Sequence, residues 1–363
     1  MSKVDIIIAN YQGGSMLPRC VQRIVNTQPR DSYRLYVIDN GSTDSSHSYL
    51  FGNKPPNMPS TFEYDLEEGH VASLPATVNL RWDTIVETTP LSVPSGSEET
   101  KRVTRDKLVN VLYGHYYDNC VAIKLDKNYG YETAVNIGLA ASGTGWDWAT
   151  GAFRHPHAAA VGNDVILMGS DVMAHDGLIE KLQRAAYAHP RIGIVGAKLM
   201  KMRGSRMFVV GGGYTSGAPL HYRGFADQEG PWDYYQQCPW VTFSCVYIKR
   251  AVVRDVDMMD MSYYFYSGDA DYCRRARQKE WAGIYAPEPS CVHGESITCG
   301  LVRREIGEAE WDRRVKADQR FHALKWRGAQ IPLIDLSKAS VPFITSADVD
   351  DGSYLDKGAS KIP

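Results

Sequence analysis

Three stretches that read as strands end in polar side chains. Asn10 follows Val4–Ala9, Asp39 follows Arg34–Ile38, and Asp171 follows Val165–Met168 through Gly169 and Ser170. In an open α/β sheet, ligands bind outside the carboxyl ends of the strands, so these positions are where chemistry is expected. Asp39 opens Asp39-Asn40-Gly41-Ser42-Thr43-Asp44. Its carboxylate could accept hydrogen bonds from a ribose or a base, but the same six residues also make a good turn and helix cap. No GxGxxG follows the first strand and no GxxxxGK[ST] occurs, which disfavours dinucleotide dehydrogenases and P-loop NTPases. Any diphosphate bound here would need a metal to share its charge. One carboxylate with phosphate oxygens and water suits Mg2+ or Mn2+, and Asp171 is placed for that task. An added imidazole would tilt the choice to Mn2+. Further along, Ser267-Gly268-Asp269-Ala270-Asp271 precedes a helix. Two aspartates at i and i+2 do not face one ligand together, so one is expected in a cleft and the other at the helix start. His293 closes Pro289-Ser290-Cys291-Val292-His293, where a lone histidine is open to a structural or a ligand role.

The elements that must hold these residues read as alternating strands and helices. Val4–Ala9 is apolar except for Asp5, the pattern of a strand buried on both faces. A helix over Pro18–Val25 follows, and then a strand over Arg34–Ile38. Further strands are expected at Val121–Leu125, Val165–Met168 and Ile192–Leu199, with helices through Ala141 and over 178–188. This alternation points to a parallel sheet. Two insertions interrupt it, at about 51–119 and at 143–162. The first is proline-rich and reads as loops and short strands forming a lid or an acceptor-side wall. The second half is expected to hold strands at Phe208–Tyr214 and Trp240–Ile248, a helix at Tyr272–Lys279 and a helix over Leu301–Arg327, then a tail.

The chain has 363 residues, 44% hydrophobic and 23% charged, with a formal net charge of -2. These values suit a globular protein of one large or two ordinary domains and argue against one whose main task is gripping bare nucleic acid. No apolar run reaches the ~18 residues of a membrane span, and the short run near the start reads as a strand rather than a leader. The seven cysteines form no CxxC pair. Reduced, buried thiols in a cytoplasmic protein are therefore expected, not a disulfide framework or a structural zinc site.

Six blocks, in order, resemble family 2 glycosyltransferases of the GT-A fold. They are VDIIIANYQGGSMLPRCVQRI, LYVIDNGSTDSS, LDKNYGYETAVNIGLAAS, VILMGSDVMAHDGLIEKLQRAAYAHPRIGIVGAKL, PWVTFSCVYIKR and SYYFYSGDADYCRRARQKEWAGIYAPEPSCVHG. Together they cover about 1–50, 121–200 and 238–296. The resemblance implies a Rossmann-like, mostly parallel sheet flanked by helices, with a smaller mixed acceptor-side sheet. It implies a domain over 1–300, its nucleotide-sugar half about 1–200 and its acceptor half about 201–300, and a C-terminal helical extension over 301–363. It further implies a metal-dependent, inverting transfer of a sugar from a nucleoside diphosphate, UDP foremost, to an acceptor hydroxyl. In that scheme Asn10, Asp39, Asn40, Asn128, Gly130 and Ser170 bind the nucleotide sugar. Asp171 and His293 hold a divalent metal, Mn2+ ahead of Mg2+, and Asp269 is the general base. The acceptor would be a glycan, a lipid-linked intermediate or a polypeptide. A hydroxylated DNA base is a minor option, with Arg303, Arg304, Arg313, Arg314 and Lys316 lining a phosphate path. Trp146, Trp148, Tyr234, Tyr235 and Trp240 could stack on rings, though core packing is the better expectation for each. Three departures stand out: Gly169 where the family's metal motif has its first acid, Gly268 where a Glu precedes the base, and Phe243 where many members have Gly. They motivate one alternative, a catalytically silent nucleotide-sugar-binding protein; a nucleotidyltransferase, which shares the nucleotide-and-metal chemistry, is a more remote one.

Overall fold

A computed structural model describes residues 2–51, 70–72, 76–87, 100–117, 119–143, 146–147, 152–153, 161–211, 224–228, 230–294 and 297–344. The chain begins with β1 (Val4–Asn10), α1 (Met16–Thr27), β2 (Tyr33–Asp39) and α2 (Ser45–Phe51). The first insertion contributes β3 (His70–Ala72), β4 (Ala76–Glu87) and β5 (Thr100–Tyr117). Next come β6 (Cys120–Leu125), α3 (Tyr131–Ser142), β7 (Trp146–Asp147), β8 (Ala152–Phe153), β9 (Asp164–Gly169), β10 (Val172–Ala174), α4 (Leu178–Ala186) and β11 (Ile192–Arg203). The remainder holds β12 (Arg206–Gly211), β13 (Gly224–Phe225), β14 (Tyr235–Gln237), β15 (Cys245–Ile248), α5 (Arg250–Val256), α6 (Gly268–Gln278), β16 (Ala282–His293), α7 (Ile297–Ile306), α8 (Glu308–Lys325) and β17 (Phe343–Ile344).

The result is the expected mixed α/β fold around a large central sheet. β9, β1, β2 and β6 are neighbours and parallel. Their side chains alternate between two cores: Ile7, Ile38, Ile123 and Leu167 pack on one face, Ile6, Ile8, Val37 and Ile166 on the other. The helix α3 lies against β1 and β2 and is buried from Glu132 to Ser142. No helix among the described residues is long and apolar enough to cross a membrane.

Several elements differ from expectation. The mixed strands do not stand apart: β15 inserts antiparallel between β9 and β11, so both halves of the chain share one sheet. Strand order is set by long-range packing, which local periodicity does not encode. In the first insertion β3 is short as expected, but β4 and β5 form one long antiparallel pair. Its period-2 signal, Val78, Leu80 and Trp82 against Asn79, Arg81 and Asp83, was present beneath the surrounding prolines. The strand expected at Trp240–Ile248 begins only at Cys245. The helix expected over Leu301–Arg327 is two, broken at Gly307, whose φ of +83 cannot continue a helix. Residue 300 falls inside α7, which packs with α8 over Tyr11 and the 264–265 loop. Residues 154–160, 212–223 and the tail from 345 lie outside the described residues, as does Trp148.

Candidate active site

The register of the parallel strands brings the predicted site together. Asn10 pairs with Asp39, Asp39 with Lys124, and Ala9 with Gly169, so three polar strand ends reach one sheet edge. Above that edge lies a cavity of about 540 Å3, within the ~300–1,000 Å3 of small-molecule sites. Asn10, Asn40, Asn128, Gly130, Ser170, Asp171, Asp269 and His293 all line it. Of the nine site residues expected from the sequence, only Asp39 is not on its wall.

Asp39 instead works from behind the wall. It is fully buried and accepts from Lys124 Nζ at 2.9 Å, Asn10 Nδ2 at 3.2 Å and the Ser42 N–H at 3.2 Å. A carboxylate so engaged organises the turn, and a direct nucleoside contact is not what this geometry provides. Asn10 is similarly occupied, its Nδ2 also facing Ser42 Oγ at 3.1 Å and Ser46 Oγ at 3.0 Å, while its buried Oδ1 has no partner among the described residues. Asn40 ties the turn to the next loop: its Nδ2 donates to Asn128 Oδ1 and the Gly130 carbonyl, both at 3.0 Å, and its Oδ1 accepts from the Tyr129 N–H at 2.9 Å. Gly41 makes that contact possible. Its φ is +86, and a Cβ there would lie under 3.0 Å from the Lys127 backbone.

On the opposite side, β10 pairs antiparallel with β16, setting Val172 across from His293. This register brings His293 Nε2 to 3.5 Å from Asp171 Oδ1. The two side chains converge from distant segments, each with a little solvent access. Gly169 is the space-maker, since a Cβ there would sit 2.9 Å from Asp171 Oδ1. Among the described residues no third His, Cys, Asp or Glu joins them. The donor set is therefore one carboxylate and one imidazole facing an open cavity. That suits an ion which completes its shell from diphosphate and water, and would not hold a structural metal.

Asp269 sits in the first turn of α6 and faces the cavity, with its Oδ1 accepting the Ala270 N–H at 2.8 Å. Burial pushes its carboxyl up to about 6, against the opposing pull of backbone N–H groups. Asp271 turns away, as the i, i+2 spacing predicts, but it is not a helix cap. Fully buried, it receives Arg275 Nε at 2.9 Å, Lys325 Nζ at 2.7 Å and Trp326 Nε1 at 3.0 Å. Those cations hold it below the usual carboxylate range despite its burial. It anchors α8 to α6.

The sequence missed several wall residues. Tyr11, Glu132, Tyr264 and Phe265 line the cavity, and Tyr11 donates to Glu305 of α7. Asp318 of α8 accepts the N–H groups of Tyr264, Phe265 and Tyr266, each at 2.9 Å, and so shapes the loop before Asp269. Only its place in a charged helix marked it in the sequence, which is no signal. Trp240 and Phe243 also reach the cavity, Phe243 stacked edge-on against Tyr272. Tyr234 and Tyr235 are buried away from it. Of the basic residues, Arg303 pairs with Glu308, and Arg313 and Arg314 pair with Glu310. No Lys or Arg is among the described residues lining the cavity.

No family model matches the chain. The N-acetylglucosaminyl-diphospho-decaprenol L-rhamnosyltransferase of Mycobacterium tuberculosis is 26% identical to it over 207 residues. The chain resembles a glycosyltransferase. That match takes in 51% of this chain and 62% of the curated relative, so the chain spans less than two thirds of the relative's length. Among solved structures, GalNAc-T7 with UDP, GalNAc and Mn2+ aligns with 81% of this chain and 44% of its own, at 13% identity and a TM-score of 0.46. The mannosyltransferase PcManGT of Pyrobaculum calidifontis, in complex with GDP-Man and Mn2+, aligns with 91% of this chain and 66% of its own, at 13% identity and a TM-score of 0.46.

Proposed function

We propose that this chain transfers a sugar from a nucleoside diphosphate to an acceptor hydroxyl, with inversion at the anomeric carbon. One observation carries the reading. Asp171 with His293, and separately Asp269, converge on a single cavity whose described lining is acidic and aromatic and has no Lys or Arg. A bare diphosphate would be repelled there. A divalent cation on Asp171 and His293 would offset that repulsion and, when bound, would stabilise charge on the departing diphosphate. The imidazole favours Mn2+ over Mg2+.

The chain's own residues supply the rest. Asn40 and Asn128 hold the loop that presents Gly130 to the nucleotide, with Asp39 and Asn10 keeping the turn beneath it rigid. Ser170 lies beside Asp171 on the diphosphate side. Asp269 takes the proton of the acceptor hydroxyl as its oxygen bonds to the anomeric carbon and the bond to the diphosphate oxygen breaks. Attack from the face opposite the leaving group inverts the centre, and no covalent enzyme intermediate is needed. UDP is the nucleotide to try first. The curated relative's name gives a lipid-linked amino sugar as acceptor, so a lipid-linked sugar hydroxyl is the first acceptor to try, ahead of free glycans and polypeptides. A DNA base is disfavoured because Arg303, Arg313 and Arg314 are paired with neighbouring carboxylates. Seven free thiols, six of them buried, suit a cytoplasmic compartment.

A thermal-shift panel of UDP, GDP, dTDP and CDP sugars, each with and without Mn2+, tests the reading. A donor that binds only the folded state raises the melting temperature, by an amount equivalent to ~2.7 kcal/mol at a hundredfold excess over Kd. One donor class should do so only with the metal. Absence of any shift across the panel with Mn2+ or Mg2+ would refute the proposal. Binding without release of the nucleoside diphosphate in the presence of acceptors would favour the silent-binder alternative.

A further inference from the structure

Glu132 is the one wall carboxylate with no part in the scheme above. It is the second residue of α3, directly after the loop held by Asn40, and its exposure is 2%. It lines the cavity, and its Oε2 has no hydrogen-bond partner among the described residues. A buried polar oxygen left unpartnered is costly to keep, so its retention on a cavity wall points to a ligand. Its other oxygen lies against Gly268, the residue before Asp269. A Cβ at Gly268 would come under 3.0 Å from Glu132 Oε1 and 3.1 Å from its Cδ and Cγ. The glycine thus vacates the space beside Asp269, and Glu132 fills it from the opposite wall.

We propose that Glu132 is a specificity-determining contact for the transferred sugar, its free Oε2 taking up a hydroxyl of the ring beside Asp269. This rests on the donor reading above. With the diphosphate at Asp171 and the acceptor at Asp269, the sugar ring must occupy the stretch between them, and Glu132 reaches that stretch from the nucleotide-side loop. The groups facing it are Asp269 and Asp318, which repel a second negative charge, and Lys107. Lys107 Nζ already donates to the Tyr129 carbonyl and Thr133 Oγ1, both at 2.9 Å. Burial foremost, aided by the two aspartates, holds the Glu132 carboxyl well above its ordinary range. A neutral carboxylic acid both donates and accepts, as a sugar hydroxyl does.

Calorimetry in Mn2+ with UDP-glucose, UDP-N-acetylglucosamine, GDP-mannose and dTDP-rhamnose, each against its parent diphosphate, tests this. For whichever sugar nucleotide the wild type binds, Glu132→Ala should raise Kd roughly tenfold, the loss of one good hydrogen bond. The parent diphosphate should bind within about twofold of wild type, which also shows that the variant is folded. Glu132→Gln, an amide that again donates and accepts, should restore affinity to within about threefold. Gly268→Ala displaces the carboxyl without removing it. It should weaken the sugar nucleotide in the wild-type background and add nothing in the Glu132→Ala background. Sugar-nucleotide affinity unchanged in Glu132→Ala overturns the proposal, as does a Gln variant as weak as the Ala variant. Equal loss of the sugar nucleotide and its diphosphate also overturns it. A wild type that binds none of the four and shows no shift across the thermal panel overturns the donor reading itself, and this inference with it.

Discussion

If Asp269 is the base, the reaction must follow its ionisation. Its carboxyl faces a cavity walled by Trp240, Phe243, Tyr264 and Phe265, and burial raises it to about 6. Only the ionised form accepts a proton. Activity is therefore lost as pH falls through the folded-state value and is complete above it. For a single group titrating near 6, kcat/KM should be half-maximal near pH 6, about a tenth of its plateau at pH 5 and about nine-tenths at pH 7. The assay is initial-rate release of the nucleoside diphosphate from pH 5 to 8. Nucleotide affinity in Mn2+ is measured at each pH to separate any loss of donor binding from the protonation of Asp269. Asp269→Asn should lose ~10^2–10^4 in turnover and keep wild-type nucleotide affinity. A pH-independent kcat/KM over this range, or an Asn variant with near-normal turnover, would refute the assignment.

Three further outcomes follow from the same geometry. Asp171→Ala should abolish the Mn2+-dependent part of nucleotide affinity, a loss of tenfold or more, while binding in excess chelator stays unchanged; calorimetry with and without chelator measures both. Gly41→Ala should destabilise the fold by at least ~1–2 kcal/mol, because its φ of +86 disfavours an L side chain and the added Cβ presses on the Lys127 backbone. Urea unfolding would show it, and an unchanged midpoint would contradict the packing described. Asp318→Ala strips the acceptor from three N–H groups of the 264–266 loop and should cost ~2–4 kcal/mol, with a raised KM for the sugar donor. Stability within ~0.5 kcal/mol of wild type, the range of a neutral surface change, would mean the loop is held by something else.

Much of the framework was legible from local pattern. Val4–Ala9 announced a strand buried on both faces, and Asn10, Gly130, Ser170, Asp171, Asp269 and His293 were named as site residues and line one cavity. The less legible parts turned on competition between two roles for the same residues. The Asp39 turn can cap or can bind, and local chemistry does not separate these. The answer came from Lys124, which the pairing of β2 with β6 sets beside it. Glu132 gave no sign, being a common helix residue in a common helix position.

What the sequence by itself determined is therefore the alternation of strand and helix, the polar strand ends, and the turn from Asp39 to Asp44. These depend on periodicity, backbone sterics and side-chain chemistry within a few residues. Tertiary structure alone decided that β15 runs between β9 and β11, that His293 meets Asp171 through the β10–β16 register, that Glu132 fills the space left by Gly268, and that α8 pins the loop before Asp269. Each of these joins segments distant along the chain. Such partners are selected by the packing of whole faces against one another, a free energy that no short stretch of sequence contains.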